Sequence, residues 1–323
     1  MNRRVFITLL GGAAAWPIAA WAQQAALPVI GLLSGGSPQP HLLEAFHRSL
    51  KETGFIQGQN VKIEYRWANG EYDRLLALAA ELVGHKVAVI AASNTPAALA
   101  AQAATRTTPI IFSIGIDPAE AGVVESLSRP GGNATGAYFL TTSLEAKRLQ
   151  LLHEVVPTAT VIGVIVNPTY SGAASQLKDA HEGASALGLE LRVLDAKGER
   201  EIEAAFASAV EQRIGALLVG SDVLFFRQRK QFIALAARHA IPAIFYFAEF
   251  ARDGGLMSYG ASLTDAYHLI GNYTGRILKG ERPADLPVQQ STRVEFVINL
   301  KTANALGLTI PLPLLGRADE VIE

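Results

Sequence analysis

From Pro28 onward the chain alternates short, β-rich apolar runs with longer amphipathic stretches, and it does so twice. Strand-like runs stand at 28–34 (PVIGLLS), 61–67 (VKIEYRW), 87–92 (VAVIAA) and 109–114 (PIIFSI), with helical stretches at about 40–53, 72–84 and 95–106 between them. The same order returns about 133 residues later, counted from Pro28 to Val161: strands at 161–167, 190–195, 215–220 and 242–247, helices near 173–187, 200–213 and 224–239. Such alternation signals parallel strands covered by helices. Two copies in a chain of 323 residues, half of them hydrophobic, predict an α/β protein of two similar lobes, each with its own core.

Within the units the helices read as core-facing. Leu42, Leu43, Phe46 and Leu50 recur at helical spacing and stop at Gly54, a residue suited to the left-handed cap, as Gly188 is after the corresponding helix of the second unit. Gly136 to Leu140 is a candidate crossing between lobes, and Gly254 to Gly260 a second one, leading into a helix at about 264–279. The expected division is a leader over 1–22, one lobe over 27–137 plus about 263–290, and the other over 138–262. The tail 291–323 holds a late strand at 294–299 (VEFVIN) and is left unassigned to either lobe.

The first residues predict export. Arg3 and Arg4 precede an apolar stretch from Val5 to Ala15, and Ala20-Trp21-Ala22 is the small-x-small pattern that a signal peptidase accepts. A membrane span needs about 20 apolar residues, and Gly11, Gly12 and Pro17 interrupt this run. Arg3-Arg4 followed by Val5-Phe6-Ile7 resembles a twin-arginine signal, although Asn2 stands where Ser or Thr is usual, so Sec export is the alternative. The expectation is a periplasmic protein, soluble after cleavage near Ala22. There is no cysteine, which excludes disulfides, thiol chemistry, zinc-thiolate sites and a lipidated N-terminal cysteine.

Charge argues against a nucleic-acid partner. The formal net charge is -1, and without Arg3 and Arg4 the chain has 26 basic against 29 acidic residues. The longest basic cluster, Arg227-Gln228-Arg229-Lys230, reads as the solvated face of a helix.

Catalytic motifs are missing as well. There is no phosphate loop, no H-E-x-x-H pair and no G-x-S-x-G elbow, and Ser34-Gly35-Gly36-Ser37-Pro38 is not a dinucleotide fingerprint. The histidines are scattered; His41 and His47, six apart, would not share a helix face. The chain is expected to be no enzyme, to need no cofactor and to hold no metal.

In open parallel sheets ligands bind beyond the carboxyl ends of the strands. Those ends here carry Ser34, Gly35 and Ser37 after the first strand, Ser93, Asn94 and Thr95 after the third, and Asp117 after the fourth. The second unit supplies Asn167 and Ser171, then Asp222, then Tyr246 and Glu249, and Tyr138 lies in the candidate crossing. The turn Ser93 to Thr95, entering a helix at Pro96, could receive a carboxylate, or Asn94 or Thr95 could serve only as N-caps. Tyr246 could stack on a flat ligand or be core; Asp222 and Glu249 could meet an ammonium or be solvated. These features suit a small carboxylate-bearing molecule with an apolar or aromatic body, with a sugar as the alternative.

Several segments carry a resemblance: TPAALAAQAAT (95–105), DPAEAGVVESLSRPGGNATG (117–136), EAKRLQLLHEVVP (145–157), GGLMSYGAS (254–262), ILKGERPADLP (277–287) and INLKTANALGLTIP (298–311). Together they resemble the ABC-transporter substrate-binding proteins related to the bacterial tryptophan and tyrosine uptake receptors. The resemblance implies a type I periplasmic-binding architecture, with two Rossmann-like lobes and a ligand cleft between them. It also implies a small-molecule ligand, with a permease and an ATPase as partners; the chain itself is expected to be a monomer. It maps ligand contacts onto Asn94, Thr95 and Asp117, with Asn94 standing where a hydroxyl is expected. A sensory partner of a membrane receptor, or a periplasmic hydrolase or isomerase on the same scaffold, are the other functions open to such a chain.

Overall fold

The computed structural model describes residues 27–139 and 143–323. The expected leader, its cleavage site and Leu140 of the first candidate crossing lie outside the described residues.

The first unit runs β1 (Val29–Ser34), α1 (Pro40–Glu52), β2 (Lys62–Trp67), α2 (Leu75–Gly84), β3 (Val89–Ala92), α3 (Thr95–Ala104), β4 (Ile110–Ile114) and β5 (Ala134–Tyr138). The second runs α4 (Glu145–Val155), β6 (Val161–Val166), α5 (Ala173–Leu187), β7 (Glu190–Asp195), α6 (Glu199–Glu211), β8 (Ala216–Val219), α7 (Val223–Arg227), α8 (Arg229–Arg238), β9 (Ala243–Phe245), α9 (Ala248–Arg252) and β10 (Met257–Ala261). Then follow α10 (Leu263–Leu278), β11 (Gln289–Gln290), β12 (Val294–Asn299), α11 (Leu300–Ala305), α12 (Leu312–Leu315) and β13 (Glu320–Ile322).

Two sheets result. The first has the order β11-β5-β4-β3-β1-β2 with every pairing parallel. The second has the order β13-β12-β10-β9-β8-β6-β7, parallel except where β12 runs against β10. This is the expected α/β architecture of two lobes with helices on the sheet faces, and it is the type I periplasmic-binding fold. The chain passes between sheets after β5, between β10 and α10, and between β11 and β12.

Buried apolar clusters lie on both faces of each sheet, as helix-covered parallel strands require. On one face of the first sheet α1 packs with α10, a helix entered directly from the second sheet. Phe46, on the core face of α1, has no exposed surface; burying such a ring contributes about 1.5–3 kcal/mol. The two helices approach closely because α10 carries Gly271: a Cβ there would lie 2.5 Å from the Phe46 carbonyl oxygen.

Several elements differ from the sequence reading, among them the second candidate crossing, where Met257–Ala261 form the strand β10 paired with β9 and β12. Gly136 to Tyr138 belong to a strand, β5, held in register with β4 by pairs such as Phe112 with Gly136; the small residues Ala-Thr-Gly-Ala imitate a connector. The single helix expected at 224–239 is two, α7 and α8, which meet at Gln228. The segment 145–155, read only as part of a resemblance, is the helix α4. In the tail, β12 and β13 both extend the second sheet.

Candidate functional site

Parallel strands in both sheets aim their carboxyl ends at a common cleft. Residues from the ends of β1, β3 and β4 and from the ends of β8 and β9 line one cavity, with an empty volume of about 730 Å³ counting the space open to solvent at its mouth. Ser34, Ser37, Ser93, Asn94, Thr95, Asp222 and Tyr246 line it. Gly35 stands just behind, its N–H donating to Asn94 Oδ1 at 3.2 Å.

The remaining candidates are elsewhere. Asp117 caps its own turn, accepting from Ala119 N at 2.8 Å and Glu120 N at 3.1 Å. Tyr138 is buried at the end of β5. Asn167 acts from behind the wall, donating through Nδ2 to Asp222 at 3.2 Å. Ser171 faces a separate groove with Leu76 and Leu99. Glu249 meets His41 Nε2 at 3.1 Å.

On the first-lobe wall most polar side chains are bonded within their own lobe, and Ser93 Oγ, buried in the cavity lining, has no hydrogen-bond partner. Asn94 caps α3 by accepting from Ala97 N at 3.1 Å, and its Nδ2 donates to Ser34 Oγ at 3.1 Å. Ser34 Oγ also accepts from Gly36 N at 3.1 Å, and Ser37 Oγ donates to Asn69 Oδ1 at 2.9 Å. Thr95 Oγ1 accepts from Gly115 N at 3.0 Å. Position 96 is proline and brings no N–H, while Ala98 N bonds to the Asn94 carbonyl. The α3 turn therefore works as a cap, and of its side chains Ser93 keeps a free hydroxyl facing the cavity.

The second-lobe wall is acidic and aromatic. Asp222 is the N-cap of α7, 4% exposed, and accepts from Leu224 N at 2.6 Å. Tyr72, from the first lobe, donates its hydroxyl to both carboxylate oxygens at 3.0 Å. Burial pushes the Asp222 carboxyl up to about 6, against the lowering effect of these donors. Tyr246 donates its hydroxyl to the Asp222 carbonyl oxygen. Burial also raises the Tyr170 hydroxyl to about 12.

Phe247 stands among other rings, 4.7 Å from Tyr246, 5.7 Å from Phe226 and 6.4 Å from Phe139 between centroids. All four line the cavity, as do Tyr170 and Tyr267. Ser221 Oγ, buried in the same wall, has no hydrogen-bond partner.

The basic cluster needs correction. Arg227 is not part of a merely solvated face: it lines the cavity and donates through Nη1 to the Asn69 carbonyl of the other lobe. Arg229 pairs with Asp253 at 2.7 Å. Arg227 is the last residue of α7, just before the break at Gln228.

Tyr72 and Tyr267 escaped the sequence reading. Tyr72 follows β2, so the strand-end rule applied to that strand would have reached it. Tyr267 lies on the buried face of α10, and nothing in sequence separates it from core. Among the described residues no group of three His, Cys, Asp or Glu side chains could hold a metal ion, and no helix is long and apolar enough to cross a membrane.

Residues 29–322 match the family described as ABC transporter substrate binding protein. The chain is 30% identical over 266 residues to a tyrosine-binding protein of Clostridioides difficile (strain R20291), covering 82% of this chain and 76% of that one. Among solved structures, an ABC domain from Streptococcus pneumonia in complex with L-Trp is similar with a TM-score of 0.82 at 24% identity, over 92% of this chain and 100% of that one. A substrate binding protein with adhesive properties from Clostridium difficile, in its ligand-free, open structure, is similar with a TM-score of 0.64 at 25% identity, over 92% and 99% of the two chains.

Proposed function

We propose that this chain, which belongs to the family of ABC transporter substrate binding proteins, captures an amino acid with an aromatic side chain outside the cytoplasm and delivers it to a membrane permease. One observation carries the ligand class: a buried carboxylate, Asp222, set in a wall of aromatic rings and without an ion-pair partner among the described residues. A buried anion is costly unless compensated. An ammonium group entering the cleft supplies the missing charge, and the ligand's ring replaces water against Phe226, Phe247 and Tyr170.

The lobes act as a clamp in this reading. Tyr72 with Asp222, Arg227 with Asn69 and His41 with Glu249 bond across the cleft, so the described state is shut. The overall form is closer to the tryptophan-bound relative than to the ligand-free, open one, which accords with a cleft that closes on its ligand. Export by the leader would place the mature chain, starting near Gln23, in the periplasm. Mass spectrometry of the native protein reads that terminus directly.

The test is a thermal-shift screen of ligand-stripped protein against L-tyrosine, L-tryptophan, L-phenylalanine, aromatic acids and sugars. A ligand at 100 times its Kd adds about 2.7 kcal/mol of stability. At roughly 2–4 °C per kcal/mol, the aromatic amino acids should raise Tm by several degrees. A shift with sugars alone overturns the ligand class.

A further inference from the structure

We infer that Arg227 receives the ligand's carboxylate at the mouth of the cleft and so sets the requirement for an acid, supplying the positive charge that the α3 turn does not carry. The inference rests on the reading of the ligand as an amino acid. It starts from the opposite wall, which lines the cavity with neutral side chains only. The side chains of Ser34, Ser37, Asn94 and Thr95 are engaged within their own lobe, and the first turn of α3 has lost one N–H to proline and two to Asn94. Ser93 Oγ is unpartnered there, but a lone hydroxyl brings a carboxylate no compensating charge.

Arg227 is differently placed. Among the described residues it is the one cationic side chain lining the cavity, and no carboxylate pairs with it. It is exposed, at the last position of α7. Its neighbour Arg229 by contrast is neutralised by Asp253. A guanidinium has five N–H donors, and the Asn69 carbonyl takes one. That carbonyl is turned toward the cleft by two successive left-handed residues, Asn69 at φ 55° and Gly70 at φ 84°. A Cβ at position 70 would lie 3.2 Å from Arg227 Nη1, so the first lobe leaves space for the guanidinium as the cleft shuts.

The contact with Asn69 thus holds the guanidinium at the mouth while leaving its other donors open. Those donors can grip a carboxylate in the two-pronged geometry that Arg favours. With Asp222 in the same cavity, the site offers one anion and one cation from opposite ends of α7, the charge pattern that a zwitterion complements.

The experiment is calorimetric titration of full-length mature protein, stripped of ligand, with L-tyrosine, L-tryptophan and their carboxamides, comparing the parent chain with Arg227→Met and Arg227→Lys. The parent is expected to prefer each acid over its amide by roughly tenfold to a hundredfold. In Arg227→Met this preference should fall to about twofold, and Arg227→Lys should keep an intermediate share. A clasp that only shuts the lobes would weaken acid and amide alike and leave their ratio untouched, and that result overturns the inference. So does a parent that binds the acids without preferring them. If neither acid nor amide binds while sugars do, the amino-acid reading itself has failed and the role of Arg227 goes with it.

Discussion

Tyr72 and Asp222, 150 residues apart in sequence and on opposite lobes, meet across the cleft with the tyrosine hydroxyl 3.0 Å from each carboxylate oxygen. In the proposed clamp this bond belongs to the shut state, and its acceptor is a buried carboxylate. Removing the hydroxyl in Tyr72→Phe should cost the closed state about 1.5–3 kcal/mol, the range for a hydrogen bond to a charged group. Small-angle scattering of the ligand-free variant should then show a larger radius of gyration than the parent. An unchanged radius would mean that the remaining cross-lobe contacts suffice.

The same carboxylate predicts a pH dependence. The Asp222 carboxyl lies at about 6 in the folded protein, against an ordinary 3.8, because burial disfavours its charge. A raised acid pKa means that the folded state holds the proton more tightly, so this group's stabilisation is complete below about pH 4 and is lost as pH rises through 6. A shift of this size amounts to about 3 kcal/mol. Glu145, also pushed up by burial to about 7, adds a slope of its own, so the quantity to measure is parent minus Asp222→Asn. That difference should vanish above pH 7 in slope and be steepest between pH 4 and 6.

Ligand binding should run the other way. An ammonium group binds the charged carboxylate, so affinity for an aromatic amino acid should fall about tenfold per pH unit below 6 and level off above it. Titration calorimetry at pH 5 and pH 7.5 reads the change. If affinity is flat across that interval, Asp222 is not the partner of the ammonium.

The alternation of strands and helices made the lobes legible, because helix-covered parallel strands must be apolar on both faces and their connections must be long. Strand ends were legible for the same reason, and Ser34, Asn94, Thr95, Asp222 and Tyr246 were found by that route. What the pattern could not convey is commitment. Asn94 caps α3 and is tied to Ala97, Gly35 and Ser34, whereas Asp222 caps α7 and has no ion-pair partner among the described residues. Nor could it reveal Arg227, which ends α7 at a helix break, Gln228, that carries no glycine or proline. Asp117 sits at a strand end as expected, yet folds back on its own turn.

Gly136 marks a position where backbone, not side chain, decides. Its φ of 152° lies in a region that side chains rarely adopt, and a Cβ there would stand 2.0 Å from the Phe112 carbonyl oxygen in the neighbouring strand. Gly136→Ala must push β5 away from β4 just before the chain leaves the first sheet. The loss should exceed the usual range of about 0.5–3 kcal/mol for single substitutions. Denaturant unfolding would reveal it, and a parent-like midpoint would show that the strand pair can yield.

Beyond the cleft, α4 carries the most deeply buried ion pair among the described residues. Glu145 and Arg148 have no exposed surface, with Oε1 to Nη2 at 2.6 Å and Nε donating to Oε2 at 3.0 Å. Burial raises the Glu145 carboxyl even beside a guanidinium, which measures how heavily desolvation weighs against the pair. Such a pair adds little net stability, but breaking it strands one charge in a dry interior, at about 3–5 kcal/mol. Glu145→Gln and Arg148→Met should each lower Tm by roughly 6 to 10 °C at ~2 °C per kcal/mol. The double variant leaves no stranded charge, so it should lose clearly less than the two single losses together, with a coupling of about 0.5–3 kcal/mol. Additive losses would mean that each side chain is held by its surroundings rather than by the other.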